Sequence, residues 1–175
     1  MIKKIISYST LICDMIWATL LRATIKRRPP MLKVGVQAPN FSVQDHNGKK
    51  VSLSDFTGKK VVIWFYPKAD TPGCTIEGKE FRDQFKQFQG KNVVVLGVSL
   101  DTPAENKAFA EKFSFPFQLL CDVKREIATA YHAVHGQDDK FAARISYVIG
   151  EDGKILEAIE KVDVKSHAKD LCTRL

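Results

Sequence analysis

In the stretch QAPNFSVQDHNGKKVSLSDFTGKK, residues 37–60, apolar and polar positions alternate on either side of Asn47–Gly48. Alternation is the period of a strand with one buried face, and Asn-Gly is a strong turn signal, so a β-hairpin is predicted. KKVVIWFYP (59–67) follows as an unbroken β-branched and aromatic run, the pattern of a central strand buried on both faces. From Cys74 the residues Phe81, Phe85 and Phe88 step by four and three, which predicts a helix with one core-facing stripe, stopped at Gly90. NVVVLGVSLD (92–101) reads as a second buried strand. TPAENKAFAEKF (102–113) reads as a helix with Thr102 as N-cap and Pro103 in its first position. A short strand in FQLLCD and a short helix in KREIATAYHAV come next. Two strands joined by a Glu-Asp-Gly turn fill RISYVIGEDGKILEAIEKV, and SHAKDLCTRL closes the chain as a helix.

Strand, helix, strand, helix, strand, then a terminal hairpin and helix, describes an α/β fold with a mixed central sheet flanked by helices. In outline this is a thioredoxin-like architecture with an added N-terminal β-hairpin. The pattern places the domain at residues 31–175, with Met31 opening MLKVGVQAPNF just after RRPP.

Residues 1–30 differ in kind. They have a basic start, an apolar middle and a basic end, with no small-residue cleavage site after the apolar run. The run from Ile5 to Leu21 is at the short limit for a membrane span, and Asp14 near its centre would cost about 2.5–3.5 kcal/mol there. Lys3, Ser7, Thr10 and Asp14 share one helical stripe, which fits better a lopsided amphipathic helix lying on a membrane or docked on a partner. An over-extended start or a removed segment is the competing reading. The expected location is cytoplasmic, with membrane association through residues 1–30 as the alternative.

The formal charge of +7 first suggests a nucleic-acid partner. Six of the basic residues, against Asp14 alone, lie in residues 1–30, which leaves 21 basic and 19 acidic residues for the domain. A nearly balanced domain argues against nucleic-acid binding. The four cysteines, Cys13, Cys74, Cys121 and Cys172, are too few and too scattered for a disulfide framework, and neither C-x-x-C nor metal spacing is present. That usage favours a reducing compartment and implies no metal or other cofactor.

The chemistry concentrates in FYPKADTPGCTIEGKEF, residues 65–81. An arbitrary cysteine is usually a small buried hydrophobe. Cys74, however, follows a strand C-terminus and falls in the first turn of a helix, where free backbone N–H groups and the helix dipole favour an anionic sulfur. Peroxide reduction needs such a thiolate, held in line with an O–O bond, and donors for the charge that spreads over two oxygens. Thr71 lies three residues before Cys74, within reach across the turn. Pro67 and Pro72 fix the strand exit and the helix start. An arginine must come from elsewhere, and Arg144, opening the strand RISYVIG, is the candidate; taken alone it would be read as a surface ion-pair residue.

PKADTPGC matches Pro-x-x-x-Thr-x-x-Cys, and FYPKADTPGCT resembles the bacterioferritin comigratory protein, or PrxQ, subfamily of peroxiredoxins. The resemblance extends over residues 34–69, RISYVIGEDGKI and VDVKSHAKDL. It implies a thioredoxin-like fold and thiol-dependent reduction of hydrogen peroxide and organic hydroperoxides. By matching position it implies Cys74 as peroxidatic cysteine, Thr71 and Arg144 as contacts to peroxide and thiolate, Pro67 as a shield, and Glu77 as a support for the arginine. Thioredoxin or a low-molecular-weight thiol is the implied reductant, and a monomer or weak dimer the implied working unit. His167 fits the subfamily's terminal-helix pattern and reads as structural.

The chain departs from the subfamily where many members carry a second cysteine five residues after the first: here stands Lys79, which reads as a solvated helix residue. A sulfenic acid on Cys74 must then meet an external thiol, Cys121, or Cys172, in that order of expectation. Two other classes stay open at this point. One is a thiol–disulfide oxidoreductase, disfavoured by the missing C-x-x-C. The other is a peroxide-sensing or chaperone-like protein without sustained turnover.

Overall fold

The structure is a computed structural model and describes residues 28–175. The amphipathic helix expected within residues 1–30 lies, up to residue 27, outside the described residues. The alternation around Asn47–Gly48 forms the expected hairpin, β1 (Ser42–Gln44) against β2 (Lys50–Ser52), antiparallel with Val43 opposite Val51. Asp45 closes its turn by accepting from the Asn47 and Lys49 amides, both at 2.9 Å, and Gly48 takes the left-handed conformation the turn requires (φ +79°).

The central strand is β3 (Lys60–Phe65), parallel to β4 (Val93–Ser99) and antiparallel to β6 (Ile145–Ile149). β5 (Gln118–Cys121) extends the sheet beyond β4, and β7 (Ile155–Ile159) beyond β6, giving the order β5-β4-β3-β6-β7. Because side chains alternate across a strand, β3 feeds two cores. Val61, Ile63 and Phe65 pack with Tyr131, Tyr147, the short helix α3 (Glu126–Ala130) and the N-terminal residues Phe41 and Val51. Val62, Trp64 and Tyr66 pack on the other face with α1 (Pro72–Gly90), α2 (Pro103–Phe113) and α4 (His167–Arg174).

Local signals account for most boundaries. Thr102 caps α2 as expected, accepting from the Glu105 amide while Glu105 reaches back to the Thr102 amide. The end of α1 falls at Gly90, as expected. The chain then reverses at Asn92, which takes the left-handed conformation (φ +57°) and donates to the Gly58 carbonyl at 3.2 Å. The N-terminal side of the domain also reaches back beyond Met31. Arg28 donates to the His132 carbonyl at 2.8 Å and pairs with Glu160, so the chain is already docked at Arg28.

Gly78 lies on the buried face of α1, where an added Cβ would stand 2.5 Å from Phe115 Cζ. Phe115 cannot easily yield, because it stacks on Phe117 and meets Phe109 edge-on. Alanine is the better helix former by about 1 kcal/mol, but overpacking costs about 1–3 kcal/mol, so Gly78→Ala is expected to be net destabilising. Thermal unfolding should show a Tm several degrees lower; an unchanged or higher Tm would mean that the ring moves freely.

Candidate active site

After β3 the chain turns through residues 66–70 and enters α1. Asp70 is left-handed (φ +56°), and the Ala69 amide donates to Asp101 Oδ2 at 2.8 Å, tying the turn to the end of β4. Thr71 is the N-cap residue in extended conformation, Pro72 and Gly73 fill the first two helical positions, and Cys74 takes the third. The first helical bond runs from the Thr75 amide to the Thr71 carbonyl at 2.8 Å. The amides of Gly73 and Cys74 therefore precede it and have no intrahelical acceptor, which leaves their partial positive charge at the sulfur's end of the helix.

Cys74 is fully buried and its thiol is free. Arg144, immediately ahead of β6, sends Nη2 to Cys74 Sγ at 3.3 Å. Its Nη1 donates to Glu77 Oε2, one turn further along α1. Glu77 is itself fully buried, and its other oxygen, Oε1, meets His167 Nδ1 at 2.9 Å. Burial works against the charge on Arg144, but the hydrogen bond to Cys74 and the Glu77 carboxylate outweigh it and hold the guanidinium more firmly protonated than usual. A fixed cation thus faces a sulfur that also lies at a helix mouth, and both features suit an anionic sulfur.

Gly73 matters for this contact. A Cβ there would stand 3.1 Å from Arg144 Nη2, so the glycine lets the guanidinium lie across the first turn. The signal for such a close approach in the sequence is the glycine itself, set between an N-cap residue and a cysteine in a first helical turn.

Thr71 donates its hydroxyl proton to the Lys68 carbonyl at 2.9 Å. That closes the turn and leaves the oxygen lone pairs as the hydroxyl's remaining hydrogen-bonding capacity. Pro67 is half-buried in the same turn. Lys79, in place of the subfamily's second cysteine, is exposed and stands over the Phe113 ring at 5.0 Å, away from the sulfur.

The two other described cysteines are not brought to Cys74. Cys121 ends β5, two strands from β3, which is about 10 Å across the sheet. Its Sγ accepts from Asn106 Nδ2 at 3.4 Å, and the same Asn106 accepts from Tyr66 Oη at 2.7 Å, so Asn106 and Tyr66 stand on the path toward α1. Burial pushes the Cys121 thiol up, against the Asn106 hydrogen bond, which makes it a poor source of thiolate. Cys172 Sγ lies 3.9 Å from Gln87 Oε1, and Gln87 is thirteen residues beyond Cys74 on α1, about 20 Å along the helix axis.

A mixed sheet with a thiol at the mouth of the helix that follows its central strand defines a thioredoxin-like redox protein. Residues 34–158 match the AhpC/TSA family. The chain is 37% identical over 141 residues to the peroxiredoxin Bcp of Escherichia coli, covering 78% of this chain and 90% of that protein. Among solved structures, peroxidoxin BcpB of Mycobacterium tuberculosis superposes with a TM-score of 0.75 at 31% identity, over 81% of this chain and 95% of that one. The bacterioferritin comigratory protein of Xanthomonas campestris, described for its alkyl peroxide reduction activity, gives a TM-score of 0.74 at 25% identity over 81% and 96%. The chain belongs to the AhpC/TSA family, and its relatives and structural neighbours include Bcp and PrxQ peroxiredoxins.

Proposed function

We propose that the chain is a thiol-dependent peroxidase that reduces hydrogen peroxide and organic hydroperoxides at Cys74. The observation that carries this is Arg144 Nη2 at 3.3 Å from a sulfur in the first turn of α1. The thiolate attacks the terminal peroxide oxygen, the O–O bond breaks with its electron pair leaving on the second oxygen, and that oxygen takes a proton to become water or an alcohol. Sulfur is oxidised to the sulfenic acid and the peroxide is reduced. Arg144 and the Gly73 and Cys74 amides hold the negative charge as it moves from sulfur to oxygen. The Thr71 oxygen, its own proton committed to Lys68, accepts the peroxide O–H and so orients the substrate. Pro67 shields the sulfur from the solvent side.

An external thiol completes the cycle, because Cys121 and Cys172 stand away from Cys74 on the distances above. The incoming thiol displaces water from the sulfenic acid to form a mixed disulfide, and a second thiol reduces that disulfide and regenerates Cys74. Cys74 is buried, so the first turn of α1 must open for this step. Thioredoxin or a small thiol in the cytoplasm fits the role of reductant, with a monomer or weak dimer as the working unit. Among the described residues no helix is long and apolar enough to cross a membrane.

Peroxide consumption by the full-length protein tests the function. With thioredoxin and its reductase, or with a small thiol, many equivalents of peroxide should disappear per protein. Consumption of a single equivalent would point instead to a peroxide sensor. Intact mass after one equivalent of peroxide tests the recycling step. A gain of one oxygen is expected, whereas a loss of two hydrogens would mean that Cys121 or Cys172 resolves the sulfenic acid.

A further inference from the structure

His167 is the first residue of α4, ninety residues after Glu77 in sequence, and its ring is almost wholly buried. Its backbone is held twice at the helix start. The His167 amide donates to the Asp163 carbonyl at 2.9 Å, and the next amide, Ala168, donates to Glu80 Oε2 at 2.9 Å. The ring stands edge-on to Phe81, with centroids 5.3 Å apart. Among the described residues these contacts leave the imidazole one polar partner, Glu77 Oε1, at 2.9 Å from Nδ1, and the buried Nε2 has none. An Nδ1–H tautomer fits this arrangement, because it donates to the carboxylate and leaves Nε2 as a bare lone pair, cheaper to bury than an unpaired N–H.

The consequence lies at the far end of the chain of contacts. Arginine and a carboxylate prefer a two-pronged pairing, with two parallel N–H donors on two oxygens. Here the pairing is single. Glu77 Oε2 takes Arg144 Nη1, Glu77 Oε1 is occupied by His167, and Arg144 Nη2 is left for the sulfur at 3.3 Å. We infer that His167 is a positioning residue that occupies the second oxygen of Glu77, prevents a closed Arg144–Glu77 fork, and so keeps one guanidinium N–H on Cys74. This rests on Cys74 as the reacting thiol, and it gives α4 a part in the site beyond packing. The titratable and charged groups facing the cluster are Cys74, Glu77 and Glu80 from α1, Arg144 ahead of β6, His167 from α4, and Tyr66 at the end of β3.

Three variants of the full chain separate this from a structural role. His167→Asn keeps an N–H donor close to the Nδ1 position, His167→Gln moves the donor outward, and His167→Leu removes it. The readouts are the pH profile of Cys74 alkylation by iodoacetamide, followed on the Cys74 peptide by mass, the kcat/KM for hydrogen peroxide, and Tm. His167→Leu should move the alkylation midpoint up by about one pH unit and lower kcat/KM about tenfold, the effect of losing roughly one hydrogen bond's worth of arginine placement. His167→Asn should stay within about threefold of wild type in both readouts even where its Tm is as low as that of His167→Leu. If His167→Leu does not fold, His167→Gln takes its place as the defective member of the pair. Equal profiles for the Asn variant and its apolar or displaced-donor counterpart, with only Tm changed, would overturn the inference. A wild-type protein that consumes no peroxide would instead defeat the proposed function, and the alkylation profile would still judge His167.

Discussion

Cys74→Ser is expected to leave a folded protein that consumes no peroxide above the uncatalysed background. The loss should be complete because the two steps that define the activity both belong to sulfur. A serine hydroxyl does not ionise near neutral pH, and among the described residues no general base is placed beside Cys74: its polar side-chain neighbour there is the Arg144 guanidinium, which only donates. The variant oxygen also lacks a reduced sulfur's capacity to accept an oxygen atom and later lose it as water when a thiol attacks. The fold should survive, since the hydroxyl is smaller than the thiol and can accept from Arg144 Nη2 at the same place. A stability cost of about 1 kcal/mol is expected for the polar swap in a fully buried position. The check is a peroxide-consumption trace beside thermal unfolding of the same samples. Cys121→Ser and Cys172→Ser serve as controls that should turn over normally. Residual turnover in Cys74→Ser would place the chemistry at another group and end the proposed mechanism.

The parts of this molecule that were legible from sequence are those whose cause is local. The apolar run 61–66 could only be a doubly buried strand, and Thr102, Pro103 and Glu105 carry their helix start in four residues. The Thr-Pro-Gly-Cys order likewise announces a thiol in a first helical turn. Arg144 was legible at one remove: the peroxide chemistry called for a donor, the opening of the strand RISYVIG offered one seventy residues away, and the resemblance pointed to the same residue. What stayed hidden depends on lateral order and on docking. Cys121 does end a strand at the same edge of the sheet as the active-site turn. Nothing in one dimension says that β4 lies between β5 and β3, or that Asn106 and Tyr66 fill the gap. Cys172 shares a face with α1, but the register of α4 along that helix sets it beside Gln87 rather than Cys74. His167 read as structural because it fits the subfamily's terminal-helix pattern; only the docked helix reveals a carboxylate waiting for it.

Arg144→Ala should damage both stability and rate, and the two effects can be separated. Removing the guanidinium leaves the Glu77 carboxylate fully buried with His167 as its remaining partner. Breaking a buried pair costs about 3–5 kcal/mol, and the lower end applies because the Arg144 side chain is 23% exposed. The rate of Cys74 oxidation should fall about 10²–10³-fold, the usual effect of deleting one donor to charge that develops in the transition state. A merely destabilised enzyme would predict that restoring stability restores the rate. Glu77→Gln in the Arg144→Ala background removes the stranded charge while still accepting from His167, so the double variant should recover much of the lost stability. Its peroxide reaction, followed by stopped flow under single-turnover conditions, should remain slow, because no cation faces the sulfur. Arg144→Lys should fall between: it keeps a charge, but a single ammonium cannot span Sγ and Glu77 Oε2 as the planar fork does. Recovery of the wild-type rate in the double variant would show that Arg144 only satisfies Glu77, and that the sulfur needs nothing from it.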